Sequence, residues 1–445
     1  MDGEALQKHI SSILHIPDLL NFATKFGFVE RDSQLDVAGF LIALILCGGT
    51  HDGGRQRDVL RVYLEQGHGH VERSAFYGRF NAALEHILVA LLDRAIAAGR
   101  AQPTLLPGIL AGVTDWRIMD SETIKLPKGA MAEYPGCGDY AAVKIHKEFS
   151  LGVGNLVAYE FSPARDHDSP FLTVDESRRG QGLLFDLAYV SLKRLAACEQ
   201  HGVKFVCRLK ENWKPSVTRL VRGTLTAPLE EEEQDFDLLL DEDILLCDGK
   251  AIDADVTVGR GAIKVRLRLV GVPTESGYCF FLTNLPRKTH GPLQVGEIYR
   301  CRWDIEIDNK VDKEGARIDE IKATKGASIR TLILASLLNG TIARTIVQSE
   351  KLEIRRGKTP GQPAEKPPLH TISLMKALAA FHPSITRLLF DAAATRWDWA
   401  KVMSRLRSLS EDGNWRSRPS VLDKIQGLTA PPTPRRTKGS KMQGA

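Results

Sequence analysis

The apolar positions of this chain change their period near residue 108. Before it they recur at helical spacing in four blocks, Glu4–His15, Asp36–Cys47, Gln56–Glu65 and Ser74–Ala98, which predict four helices. Pro17, Gly48-Gly49, Gly53-Gly54 and Gly67/Gly69 interrupt them. Arg73, Tyr77 and Arg79 open the last block after a short turn, as the residues of a recognition helix would. Residues 1–108 therefore read as a helical DNA-binding domain, with a plain helical packing unit as the competing reading.

From 109 to 210 short apolar runs alternate with one helical block, Ser191–Gln200, which stops at Gly202 before the strand-like K-F-V-C-R-L-K. Residues 211–290 look β-rich. Within them Ile263, Val265, Leu267 and Leu269 alternate with Lys264, Arg266 and Arg268, which predicts a strand with one apolar and one basic face. Tyr278, Phe280 and Phe281 follow, just before T-N-L-P. Residues 291–350 return to helix, with the polar stretch Gly296–Gly315 and the apolar Ala327–Val347. Residues 351–370 form a Pro/Gly/Lys linker, 371–425 a C-terminal helical region with Trp397 and Trp399, and 426–445 a disordered basic tail.

Composition narrows the class. A chain of 445 residues, 43% hydrophobic, has core enough for two or three domains. Its net charge of +5 does not by itself announce a nucleic-acid partner, but an acidic block, Glu230–Glu233 with Asp235, Asp237 and Asp241–Asp243, contrasts with a basic C-terminus. Cys47, Cys137, Cys198, Cys207, Cys247, Cys279 and Cys301 show no C-x2-C spacing, which argues against a thiolate metal site and for a reducing, cytoplasmic setting. No signal peptide opens the chain, and the apolar run Val37–Cys47 is about half the length a membrane span requires. His68-x-His70 could bind metal, although a Gly-rich loop is the simpler reading.

The most informative stretch is Y-R-C-R-W-D-I-E-I-D-N-K-V-D-K, Tyr299 to Lys313. On one helix Tyr299, Arg302, Glu306 and Lys313 would fall within roughly 60° of each other. Such a face suits a metal-binding carboxylate set among groups that grip phosphate; an ordinary surface helix with an Arg302–Glu306 ion pair is the alternative.

The pattern Y-x2-R-x3-E-x6-K resembles the signature of bacterial cut-and-paste insertion-sequence transposases, the DDE enzymes. The resemblance implies an α/β fold: an RNase H-like catalytic core, a mixed sheet flanked by helices, with a β-rich insertion and N-terminal and C-terminal helical domains. It also implies that Glu306 is the third acidic residue of a two-metal site. M-D-S-E-T-I-K-L-P looks like the family's first acidic motif and nominates Asp120, with Asp115 as competitor on the opposite strand face. A-A-V-K-I-H looks like its next strand, ending in a Lys-x-His pair. G-L-L-F-D-L-A-Y nominates Asp186, at the end of an apolar strand, over Asp175 and Asp166–His167–Asp168 in a polar, loop-like stretch. The matches run from about Val113 to Val347.

By the same resemblance, Asp120, Asp186 and Glu306 hold two Mg²⁺ or Mn²⁺ ions, which want oxygen ligands. Tyr299, Arg302 and Lys313 contact DNA phosphates or a displaced base, and Tyr278, Phe280 and Phe281 are candidates to stack on that base, against a core strand as the simpler reading. The expected partners are terminal inverted repeats and target DNA, bound by a homodimer when two ends are paired, with no membrane and a cytoplasmic, nucleoid-associated location. The sequence departs from the family at Asp308 and Asn309, where apolar or aromatic residues are usual, which leaves the packing of this helix open. The competing functions are an RNase H-like nuclease without strand transfer and a non-catalytic DNA-binding derivative.

Overall fold

The first three strands are local neighbours: β1 (Trp116–Leu126), β2 (Ala141–Ser150) and β3 (Asn155–Pro163) make an antiparallel meander. β4 (Gly182–Phe185) then pairs parallel to β1, and β5 (Lys204–Arg208) parallel to β4. The parallel step needs a crossover, which α7 (Leu192–Gln200) supplies between β4 and β5. Ser191 caps α7 by accepting from Arg194 N, and Gly202, at φ 65°, ends it in the left-handed region that suits glycine. The order β3-β2-β1-β4-β5, antiparallel then parallel and flanked by helices, fits an RNase H-like α/β fold.

This computed structural model describes residues 3–29, 35–48, 55–222, 225–228, 251–259, 263–275, 277–314, 318–356, 371–372, 398–412 and 421–426. The acidic block at 230–243, Cys247, Trp397, the greater part of the C-terminal helical region and the tail from 427 lie outside them.

The β-rich stretch after residue 211 does not fold apart from the core sheet. Its strands β6 (Ser216–Arg222), β7 (Leu225–Pro228), β8 (Ile252–Val258), β9 (Val265–Thr274) and β10 (Gly277–Thr283) continue it, in the order β5-β10-β9-β8-β6-β7, because β10 pairs antiparallel to β5 with Leu282 opposite Cys207. The alternation in β9 is real, but its polar face is not uniformly solvated. Arg266 is exposed, whereas Arg268 is buried: it grips both oxygens of Asp253 at 2.9 and 2.7 Å and donates to the carbonyls of Leu285 and His290. A buried guanidinium with its partners supplied is stable inside, and nothing in the local pattern of β9 announces the partner on β8.

Apolar side chains divide by strand parity. Leu183, Phe185, Phe205 and Cys207 meet α7 on one face. Trp116, Ile118, Leu184 and Val206 meet α8 (Pro292–Arg300) and α9 (Trp303–Glu314) on the other. The amino-terminal helices α1 (Gly3–Leu14), α2 (Ile16–Lys25), α3 (Val37–Cys47), α4 (Gln56–Glu65), α5 (Arg73–Gly78) and α6 (Ala82–Arg100) share one core with α10 (Gly326–Arg356) and with Ile124, Val143 and Ile145 of the sheet. Pro17 lies in the first turn of α2, where its missing N–H costs nothing. The block predicted as one helix over Ser74–Ala98 is two, α5 and α6, because Asn81 leaves the helix to cap α6 through Leu84 N. Every residue of α3 is buried. Its end abuts α10 so closely that a Cβ on Gly48 would stand 2.6 Å from the backbone of Ala335. α10 is the one described helix long and apolar enough to cross a membrane, yet 89% of that apolar window is buried within the protein.

Candidate active site

β1 carries the centre of the site. Alternation puts Ile118, Asp120, Glu122 and Ile124 on the face that receives α9, and the parallel pairing of Met119 with Phe185 brings Asp120 level with Asp186, just past the end of β4. Strand ends are where a sheet releases its backbone, and Asp186 turns the chain there by accepting from Leu187 N. α9 lies over this edge and presents Glu306. Burial lifts the Asp120 carboxyl above its ordinary value; the Arg302 guanidinium opposes that, and the charges of Asp186 and Glu306 add to it. The three sequence-nominated carboxylates are thus electrostatic neighbours.

The stretch from Tyr299 to Lys313 is not one helix. α8 ends at Arg300, a turn at Cys301–Arg302 follows, and α9 starts at Trp303. Tyr299 is consequently buried, its ring 5.0 Å from that of Phe281, its phenol pushed up to about 12 by burial, and Arg302 lies over its ring at 5.8 Å. Arg302 reaches forward to Glu306 at 2.5 Å. Burial works against its charge, but Tyr299, Glu306 and Asp186 outweigh that and hold the guanidinium protonated. Lys313, 42% exposed, points at Glu122 at 3.6 Å.

The rival acids are employed elsewhere. Asp115 is buried and fully engaged, accepting from Ser150 Oγ at 2.6 Å and Gly152 N at 3.0 Å with Arg117 beside it at 3.0 Å. Asp175 caps a surface turn through Ser177 N. Asp168 pairs with Lys144 at 2.9 Å, and His146, the other half of the Lys-x-His pair, stacks on Phe171 at 3.6 Å with its pKa lowered to about 4 by burial. His68 contacts Asp36 at 3.0 Å and stacks on Tyr63, so it ties α3 to α4. The six described cysteines are free thiols.

Among the aromatic candidates, Phe281 is core, while Tyr278 and Phe280 stack on each other, half-buried, on the opposite face of β10. In the amino-terminal helices Arg73 and Tyr77 form an exposed pair, Nε to hydroxyl at 2.9 Å. Arg79 instead donates to the Phe28 carbonyl at 2.6 Å and fastens the loop after α2.

Behind the acidic edge lies a buried ionic network that the sequence reading missed. Lys147 of β2 is 1% exposed and donates to Glu122 at 2.6 Å, Asp312 at 2.5 Å and Asn309 at 3.0 Å. Arg344 of α10, 2% exposed, pairs with Asp308 and with Asp312 at 2.7 Å. Burial outweighs Arg344 at Asp308 and raises it to about 6; at Asp312 burial is overcome by Arg344 and Lys147, and the carboxyl stays low. The signal was present in phase: Cys301, Ile305, Asp308 and Asp312 occupy inward positions on and just before α9, so carboxylates stand where an apolar stripe was due. Asp308 and Asn309 therefore answer the question of packing: beside the apolar contacts of Ile305, this helix meets the sheet and α10 through polar and ionic ones.

As the side chains stand, no three His, Cys, Asp or Glu groups among the described residues are close enough to hold an ion; Glu306 turns to Arg302, and Asp120 accepts from Asn309. The donor set nevertheless suits a hard cation: oxygen ligands only, with Asp120 raised in part by its like-charged neighbours, a repulsion that a divalent ion would relieve.

An RNase H-like sheet with acidic residues gathered at its parallel seam defines a class of nucleic-acid phosphoryl-transfer folds. Comparison with known proteins narrows it. The transposase DDE domain matches residues 112–339, just over half of the chain. The transposase for insertion sequence element IS231F of Bacillus thuringiensis subsp. israelensis is 24% identical over 322 residues, 62% of this chain and 67% of the relative. That for IS1151 of Clostridium perfringens is 22% identical over 386 residues, 78% and 81% of the two chains. Among solved structures, the piggyBac transposase in its synaptic complex with hairpin DNA aligns with 99% of this chain and 88% of that one, at 11% identity and a TM-score of 0.42, too distant to inform individual residues. The chain belongs to the DDE transposase family. It is an enzyme of DNA strand cleavage and strand transfer, and its family uses divalent metal ions.

Proposed function

We propose that Asp120, Asp186 and Glu306 are the cation-binding carboxylates of this transposase and would hold two Mg²⁺ or Mn²⁺ ions beside the scissile phosphate of an insertion-sequence end. The observation that carries this reading is the placement of the three acids, from β1, the end of β4 and α9, within electrostatic reach of one another, with Arg302 beside them. Ions held there by Asp120, Asp186 and Glu306 would supply Lewis-acid activation of an attacking oxygen and charge stabilisation for the leaving one. Arg302 holds Glu306 and offers its remaining N–H groups to a phosphate. Lys313 adds a partly exposed positive charge at the same edge. Tyr299, packed under Arg302, fixes the height of that guanidinium, so its role is support more than DNA contact.

The DNA partners are the terminal inverted repeats and then the target, with a homodimer bridging two ends. Arg73 and Tyr77 are the exposed DNA-facing pair of the region 1–108, and Tyr278 and Phe280, on the β10 extension, remain the base-stacking candidates. The catalytic core comprises 109–210 and 291–350, and the strands of 211–290 are its insertion.

Single replacements Asp120→Ala, Asp186→Ala and Glu306→Ala test the site on a labelled terminal fragment. Each should abolish metal-dependent cleavage while gel-shift binding persists, since losing one carboxylate disturbs both ions. Cleavage by Asp120→Ala, with none by Asp115→Ala, would overturn the assignment.

A further inference from the structure

The side-chain amide of Asn309 stands between the Asp120 carboxylate and the Lys147 ammonium. Its Nδ2 donates to Asp120 Oδ2 at 3.0 Å, and its Oδ1 accepts from Lys147 Nζ at 3.0 Å. The two ends of an amide are nearly alike in shape, but here the sense of the group is dictated by chemistry. An ammonium has only hydrogens to offer, so the oxygen must face Lys147 and the NH₂ must face Asp120. Lys147 itself has no room to move, being 1% exposed and held by Glu122 at 2.6 Å and Asp312 at 2.5 Å. A rigid chain of contacts therefore runs from a buried cation to one oxygen of a carboxylate on the cleft.

The geometry points to Asn309 as a positioning residue that fixes the plane of the Asp120 carboxylate for a divalent cation, with Lys147 as its anchor. This rests on the reading of Asp120 as a cation ligand. The terminal torsion of an aspartate is broad, so an untethered carboxylate samples many planes. Mg²⁺ demands near-octahedral ligands at about 2.0–2.1 Å, whereas Ca²⁺ accepts varied geometry and distance. Tethering Oδ2 should thus matter for the small ion more than for the large one. Hydrogen-bond partners that orient a metal ligand typically change affinity by about 10–100-fold when removed.

The test uses the full chain, titrated calorimetrically with Mn²⁺ and with Ca²⁺, alongside the Mg²⁺ dependence of single-turnover cleavage of a labelled end. Asn309→Leu, close in shape and without polar atoms, should weaken Mn²⁺ binding by about tenfold or more and raise the half-saturating Mg²⁺ in step. The rate at saturating Mg²⁺ should fall less, and Ca²⁺ affinity should change less than Mn²⁺ affinity. Asn309→Ala should repeat the pattern, and a thermal melt of both variants checks that the fold is retained. Asp120→Ala is run beside them. Loss of Mn²⁺ binding in Asp120→Ala with wild-type affinity in both Asn309 variants would overturn the role of Asn309 and leave the site standing. Equal losses for Mn²⁺ and Ca²⁺ would overturn it too, since they would signal general loosening. Undiminished Mn²⁺ binding in Asp120→Ala would instead overturn the reading of the site on which the inference rests.

Discussion

Lys147→Met removes a buried cation while keeping a long apolar stem, and the consequence can be worked from its contacts. The ammonium serves Glu122, Asp312 and Asn309, all on the inner face of α9 or on β1. After its loss Asp312 still has Arg344 at 2.7 Å, but among the described residues Glu122, 2% exposed, keeps only the more distant Lys313 at 3.6 Å. One buried carboxylate is left without a close countercharge, a situation that costs about 3–5 kcal/mol. That is a large part of the roughly 5–15 kcal/mol that holds a domain folded. Urea unfolding followed by tryptophan fluorescence reads it, since Trp116 is wholly buried at the start of β1. Adding Glu122→Gln to Lys147→Met should restore a good part of the loss, because the stranded charge is then gone. The pH dependence carries a sign. Glu122 in the variant is an acid whose folded pKa lies above its unfolded value, so the variant gains stability as pH falls below that folded pKa and loses it as pH rises through it. The gap from wild type should therefore narrow in mild acid. A loss below about 1 kcal/mol at neutral pH, within the range of an exposed ion pair, would refute the claim that this network is a buried one.

Arg302→Lys keeps the charge but replaces a planar fork with a point donor, and should slow single-turnover cleavage of a terminal fragment about tenfold; the figure sits at the low end for a charge-assisted contact because Glu306 is 35% exposed. A wild-type rate would mean that the Arg302–Glu306 pair is only a surface ion pair. Asp308→Asn addresses the acid raised to about 6: a raised carboxyl stabilises the fold below its unfolded pKa and gives that up as pH rises through about 6. Stability of the wild type against pH should therefore carry a downward component between about 4 and 6 that the Asp308→Asn variant lacks, and identical curves would place the Asp308 carboxyl in the ordinary range.

Local pattern alone was enough for much of this protein. Gln56–Glu65 was legible to the residue because its apolar spacing and its flanking glycine breaks lie within one turn or two of each other. Asp120 was legible as an acid on an apolar strand and Asp186 as one just past another, both short-range features, whereas Glu306 was singled out by the resemblance of Y-x2-R-x3-E-x6-K to a family signature. Tertiary structure decided what depended on partners far along the chain. The packing that Asp308 left open, and the burial of Asp312, were settled by Arg344, 36 and 32 residues away, and by Lys147, 165 residues from Asp312. Arg268 read as part of an exposed basic face until β8 brought Asp253 against it. The break at Cys301–Arg302 was hidden because the four polar residues satisfy helical spacing whether or not one helix carries them, and only packing on Phe281 turned Tyr299 inward. Periodicity reports which residues share a face; whether that face meets water or a matching charge is set by the fold, because a charge can be buried only where its counterion has been brought.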